Sequence, residues 1–330
     1  MASIRILSGI QATGTPHLGN YLGAIRSWVQ HASSSTYFMI ADLHAITVPK
    51  EPELLAQGRF ATAAGLLSAG LEATSAVVFA QSVVPEHTQL AWLLGSITSM
   101  GELQRMTQFK AKSESLQETA SAGLFTYPIL QAADILLYDA DQVPVGDDQR
   151  QHIELARDLA IRFNHRFGDT FKVPVATFPP VGARVMDLQE PRAKMSKSAK
   201  SRRGVVLLTD DDTAIQRKFR RAVTDSHEEV GYDASGRPGI ANMIEIAAAV
   251  RTEPVEQAIE RYSGWKYGKF KDEVADLVIN LVAPIRGRIA EFQESPQELR
   301  ARLGADAERA THIASQVLRR AKQNIGLGEF

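Results

Sequence analysis

The chain has 330 residues, 44% apolar and 23% charged, enough apolar surface for a large core and too much for a disordered polymer. Its 37 basic and 38 acidic residues leave a net charge of -1, which excludes a whole-molecule attraction for phosphate and confines any nucleic-acid surface to a local patch. The absence of cysteine excludes disulfides and thiolate zinc sites and suits a cytoplasmic protein; the first residues lack a secretory pattern, and no run approaches the roughly 20 apolar residues of a membrane span.

Residues 4–7 read as a short strand, 8–16 as a Gly/Thr/Pro loop, and Leu18, Leu22, Ile25 and Val29 as one face of a helix. Residues 37–41 predict a second strand, 53–69 a second helix and 76–80 a third strand. A helix beginning near Pro128 places Gln131 and Asp134 on one side, three residues apart. A fourth strand ends at Val145-Gly146, and Ile153, Ala156, Leu159, Ala160 and Phe163 mark the helix after it. This alternation predicts an α/β fold with a doubly wound parallel sheet. After about Thr209 it gives way to helical spacing, as in Val274, Leu277, Val278, Leu281 and Val282, and then Ile313, Val317, Ala321 and Ile325. The expected division is 1–199 for the sheet domain and 200–330 for an α-helical C-terminal domain, whose last helix is a candidate to pack back on the first.

Two loops carry phosphate chemistry. In Gly9-Ile10-Gln11-Ala12-Thr13-Gly14-Thr15-Pro16-His17-Leu18-Gly19-Asn20, two glycines and a helix N-terminus bring backbone N–H groups to an anion, and His17 and Asn20 add donors. Taken alone, the same string also reads as a glycine turn with a capping asparagine. Around Lys194-Met195-Ser196-Lys197-Ser198, twelve residues hold six cations and no acid. Such a run suits a solvated loop or an RNA patch, but two lysines three apart among small side chains can also close on a pyrophosphate leaving group. Asp134 sits among apolar neighbours, where a buried carboxylate needs a partner. An indole N–H, a donor with no acceptor character, would serve; so would a structural base, or exposure to solvent.

His17-Leu18-Gly19-Asn20 and Lys194-Met195-Ser196-Lys197-Ser198 together resemble the two signatures of class I aminoacyl-tRNA synthetases. Asn20 replaces the second histidine of the first signature, as in the tryptophan and tyrosine subgroup. Residues 42–47, 101–110, 123–138 and 143–149 resemble the bacterial-type tryptophanyl-tRNA synthetases, and the likeness spans nearly the whole chain. The resemblance implies activation of L-tryptophan by ATP, release of pyrophosphate, and transfer of the aminoacyl group to tRNA with release of AMP.

By the same resemblance Lys194, Lys197, Asn20 and His17 are the catalytic candidates. ATP contacts fall to Gln11, Ala12, Thr13, Gly19, Asn20, Gly146, Asp147, Asp148, Val185, Lys194, Met195, Ser196, Lys197 and Ser198. Asp134 receives the indole N–H, with Gln131, Leu7, His44, Val143, Val145 and Gln149 around the substrate. ATP is expected as its Mg2+ complex, the ion held mainly by phosphates and water. The helical domain is expected to read the tRNA anticodon region, with Arg217, Lys218, Arg220 and Arg221 near phosphates, and the chain to form a homodimer through a seam at residues 102–110.

Three positions depart from the family pattern: Gln131 for methionine, Leu7 for phenylalanine, and Ala12-Thr13 for proline-serine. Gln131 is expected either to orient Asp134 by a hydrogen bond or to widen the pocket. Three rival readings are a tyrosyl-tRNA synthetase, distinguished by its pocket, a small-metabolite adenylyltransferase, which needs no helical C-terminal domain, and a synthetase-derived RNA-binding regulator, which needs no intact activation site.

Overall fold

The structure, a computed structural model, describes residues 4–106, 121–146, 149–177, 184–196 and 201–328. Strands β1 (Ile6–Gln11), β2 (Thr36–Ala41), β3 (Val77–Ala80), β4 (Gln142–Pro144) and β5 (Val175–Thr177) form one parallel sheet in the order β3-β2-β1-β4-β5. The chain winds outward from β1 in both directions, so a crevice opens at the carboxyl ends of β1 and β4, where open α/β sheets bind ligands.

The period of two along each strand divides the core. Phe38, Ile40 and Val78 join Leu18 and Leu66 on one face of the sheet, whereas Leu7, Tyr37, Met39, Val77 and Phe79 join Leu94, Ile135 and Tyr138 on the other.

The helices are α1 (Leu18–Asn20), which continues through a π turn at Tyr21–Ile25 into α2 (Arg26–His31), then α3 (Asp42–Ala45), α4 (Pro52–Ser68), α5 (Glu86–Gly95) and α6 (Met100–Gln104). After these come α7 (Ala122–Leu136), α8 (Arg150–Phe167), α9 (Asp212–Arg220), α10 (Pro238–Arg251), α11 (Val255–Tyr262), α12 (Tyr267–Glu294) and α13 (Pro296–Asn324). Ile240, Met243, Phe270, Val274 and Phe292 of the C-terminal helices belong to the same core as Leu18 and Phe38. Helix α13 returns to the sheet, burying Ala310, Ala314, Val317 and Ala321 in the opposite core. It also satisfies the backbone at the outer strand: Asp306 accepts from Val78 N at 3.1 Å, and Arg302 and Arg309 donate to the carbonyls of Ala76 and Ser75. A free strand edge is thereby covered.

Three boundaries differ from the sequence reading. Strand β1 runs through Gln11, into residues read as loop, because β2 pairs with it as far as Ala41 and supplies backbone partners that Ser8 and Gly9 do not advertise. Strand β5 has only three residues and escaped notice. Helix α7 starts at Ala122, where Ser121 caps it by accepting from Leu124 N at 3.1 Å, and Pro128 lies inside it rather than at its first turn. Among the described residues no helix is long and apolar enough to cross a membrane.

Candidate active site

Each strand end delivers one part of the site. The Gln11–His17 segment leaves β1, Asp42 to His44 leave β2, Gln81 leaves β3, and Val145 and Gly146 leave β4.

In the first segment Gly14 has φ +99°, a conformation that a side chain would strain. Along it, Ala12, Pro16 and His17 are buried while Gln11 and Thr13 are exposed, so alternate residues face the body of the protein and the crevice. His17 and Asn20 close a reciprocal cap: Asn20 N donates to His17 Nδ1 at 3.2 Å, and His17 N donates to Asn20 Oδ1 at 3.1 Å. Both predicted catalytic residues therefore also shape the turn, and the Asn20 cap uses its oxygen, leaving Nδ2 as its donor.

The second signature meets the first directly. The buried Met195 packs beside Gly19, where an added methyl group would lie 3.5 Å from Met195 Cβ and, more tightly, 3.1 Å from the His17 ring. Met195 N donates to Val185 O at 3.1 Å, and Lys194 pairs with Met186 across a two-stranded bridge. Val185 is buried and contributes this carbonyl. Asn242 of α10 grips Met186 from below, accepting from its N at 2.9 Å and donating to its O at 3.1 Å. Lys194 is exposed and Ser196 half-buried at the crevice. Asp147, Asp148, Lys197 and Ser198 lie outside the described residues.

Asp134 is 1% exposed on α7. It accepts from His44 Nε2 at 2.7 Å, from His87 Nδ1 at 2.6 Å, and from Gln81 Nε2 at 2.8 and 2.9 Å. An ionised carboxylate only accepts, so His44 carries its proton on Nε2 and His87 on Nδ1. His87 Nε2 lies 2.9 Å from the Tyr138 hydroxyl. Gln81 spends its oxygen on Leu43 N at 3.1 Å and His44 N at 3.4 Å, binding the carboxylate to the start of α3. Burial alone would raise the Asp134 pKa, but the hydrogen bonds and charge interactions of His44 and His87 overcome it and hold the group at about 2.

Leu7, Val143, Ile129 and Ala133 are buried in the core on this side of the sheet, with Val145 packed against it. Tyr127 stands edge-on to His44, its ring centroid 6.0 Å away, and burial lifts its hydroxyl pKa to about 12. Gln131 does not orient Asp134. Its Nε2 donates instead to Gln149 Oε1 at 3.1 Å, because three other side chains already fill the carboxylate. Gln81, His87 and Asn242 went unnoticed in the sequence, where none belongs to a spaced motif.

The basic residues of α9 divide. Arg217 and Arg221 are exposed, and Arg220 is exposed but pairs with Asp272 at 2.8 Å. Lys218 is committed inward, to Asp210 at 2.5 Å and the Val205 carbonyl at 2.7 Å, which removes it from the expected phosphate-facing set.

A family model described as tRNA synthetases class I (W and Y) matches residues 1–283. The chain is 47% identical to "Tryptophan--tRNA ligase 2" of Streptomyces avermitilis, over 98% of this chain and 96% of that one. It is 46% identical to "Tryptophan--tRNA ligase" of Mycobacterium leprae, with the same shares covered. Among solved structures it resembles the tryptophanyl-tRNA synthetase of Campylobacter jejuni complexed with ADP and tryptophan, at a TM-score of 0.85 and 34% identity, covering 98% of this chain and all of that one.

Proposed function

The chain belongs to the class I tRNA synthetases of the tryptophan and tyrosine family, and we propose that it activates L-tryptophan with ATP to tryptophanyl-adenylate, releasing pyrophosphate, and then charges tRNA, releasing AMP. The observation that carries the choice of tryptophan is the Asp134 cluster: a buried ionised carboxylate beside an apolar core is an acceptor for a neutral aromatic donor. Phenylalanine offers no donor and is rejected for that reason. The tryptophan ligases at 46–47% identity support tryptophan over tyrosine.

All the acceptor directions of Asp134 are occupied by the protein's own donors, so the indole N–H enters by exchange. Gln81 and His87 have fully buried side chains with their other polar atoms engaged, whereas His44 retains 10% side-chain exposure and yields its bond most readily. Leu7, Val143 and Val145 flank the indole, and Gln131 and Gln149 bound the polar end.

The tryptophan carboxylate attacks the ATP α-phosphorus in line. Little covalent chemistry falls to side chains, whose task is positioning and charge stabilisation. The outward-facing Gln11 and Thr13, the Ala12 and Gly19 backbone and the Asn20 amide hold the nucleotide, with Gly146, Asp147 and Asp148 opposite. Val185, Met195 and Ser196 present Lys194, Lys197 and Ser198 to the pyrophosphate, and His17 fixes the turn. ATP arrives as its Mg2+ complex, the ion bound through phosphate oxygens. Residues 1–199 perform activation and 200–330 meet the tRNA through Arg217 and Arg221.

The protein acts as a cytoplasmic homodimer. Trp92 is 82% exposed, Met100 64% and Ile46 56%, around an apolar groove of about 710 Å3. Patches of this kind mark interaction surfaces. Amino-acid-dependent exchange of labelled pyrophosphate into ATP tests the central reading. Exchange with tryptophan and not tyrosine is expected; exchange with tyrosine, or with neither, overturns it.

A further inference from the structure

The nucleotide-binding reading of the Gln11–His17 segment leaves open what fixes a segment rich in glycine and threonine. The answer lies on α4, whose Arg59 also pairs with Asp42 at 2.7 Å. Its residues Gly58, Thr62 and Gly65 are spaced by four and three and so share one face, and all three are buried. A methyl group on Gly58 would come 2.7 Å from Ala12 O, and one on Gly65 would come 2.4 Å from Pro16 Cδ. Between them Thr62, with no exposed surface, donates from Oγ1 to Gly14 O at 3.0 Å.

The segment therefore lies flat along the helix, with Ala12 over Gly58, Gly14 over Thr62 and Pro16 over Gly65. The two repeats are comparable, because two extended residues span about 6 to 7 Å and four or three helical residues about 6 or 4.5 Å. Glycine provides contact without orientation; Thr62 adds a directional bond. By fixing the Gly14 carbonyl beside the φ +99° turn, it sets which way Thr13 faces.

We propose that Thr62 is a positioning residue for ATP, acting through Gly14, and that Gly58 and Gly65 let α4 serve as the template on which the nucleotide loop is laid. This rests on the reading that Gln11 and Thr13 contact the nucleotide, and it predicts an effect on ATP that is separable from tryptophan.

The test is tryptophan-dependent pyrophosphate exchange by the full chain carrying Thr62→Val, Thr62→Ser or Gln11→Ala, with melting temperature measured in parallel. Thr62→Val keeps the shape and removes the donor. Its KM for ATP is expected to rise about tenfold, the worth of one well-placed hydrogen bond, with KM for tryptophan within twofold of the parent. Thr62→Ser restores most of the loss. An unchanged KM for ATP in Thr62→Val, alongside a raised one in Gln11→Ala, overturns the role of Thr62 and leaves the loop reading standing. An unchanged KM in both overturns the loop reading and this proposal with it. A fall in melting temperature with both KM values unmoved means that Thr62 is structural only, which also overturns it. If Thr62→Val fails to fold, Gly58→Ala pushes Ala12 O outward and is expected to raise KM for ATP selectively; an unselective rise counts against the template.

Discussion

Asp134 owes its low pKa to His44 and His87, 90 and 47 positions away, so this buried polar cluster is assembled by the fold rather than by any local motif. Removing a donor exposes the upward push of burial. In His87→Leu the carboxylate loses the Nδ1 hydrogen bond and the Tyr138 hydroxyl loses its partner. The Asp134 pKa then rises from about 2, because the upward push of burial remains and one of the two groups opposing it is gone. Because the protonated acid is a poorer acceptor for an indole N–H, the variant's KM for tryptophan should climb as pH falls from 8 to 5, while that of the parent stays flat. Steady-state pyrophosphate exchange across that range measures it, and parallel profiles for parent and variant would remove His87 from the site. At this scale the sequence singled out Asp134 and His44, which the structure joins by a hydrogen bond, and Leu7 and Val143, which it buries. It could not expose Gln81 or His87, since an isolated glutamine or histidine shows neither its partner nor its burial. It also left two roles open for Gln131, of which the structure removes one: the side chain pairs with Gln149 and not with Asp134.

Helix α6 is five residues long, too short to persist alone, and depends on its ends. Ser99 and Glu102 form a reciprocal capping box, and Glu102 also receives Arg162 of α8 at 2.5 and 3.1 Å. The Arg162 hydrogen bonds outweigh burial and hold Glu102 at about 2, below its ordinary 4.5. A depressed carboxylate contributes stability in full above its unfolded pKa and loses it as pH falls through the folded one. Glu102→Gln should therefore melt lower than the parent at pH 7, and the gap should narrow between about pH 4.5 and 2. A gap independent of pH would show that the ion pair is not what anchors α6. The capping pattern is legible in Ser99-x-x-Glu102, but the Arg162 partner is not, because 60 residues separate the pair. Elements were readable in proportion to length and periodicity: the long helices and β2 announced themselves, whereas β5 was too short to carry an alternation. Strand β1 was cut short because its polar half is stabilised by ladder bonds, to which side-chain patterns are blind.

For the whole molecule, α13 and the apolar groove answer the same physical problem in two ways. An open sheet leaves unpaired backbone at β3, and α13 closes it within the chain, where buried Asp306 is balanced by Arg302 and Arg309 at 2.9 and 3.1 Å. The groove beside α5 and α6 is the surface proposed to meet a second copy. Trp92, Met100 and Ile46 are exposed large apolar residues that line this one groove. Burying one large apolar side chain contributes about 1.5–3 kcal/mol, and a two-fold interface counts each residue twice. A single Trp92→Glu substitution places two like charges in the seam while leaving the sheet and the Asp134 cluster untouched. Light scattering after gel filtration should find the parent at twice the chain mass and the variant at the chain mass. A parent that elutes as a monomer at micromolar concentration, or a variant that remains a dimer, would detach this groove from self-association.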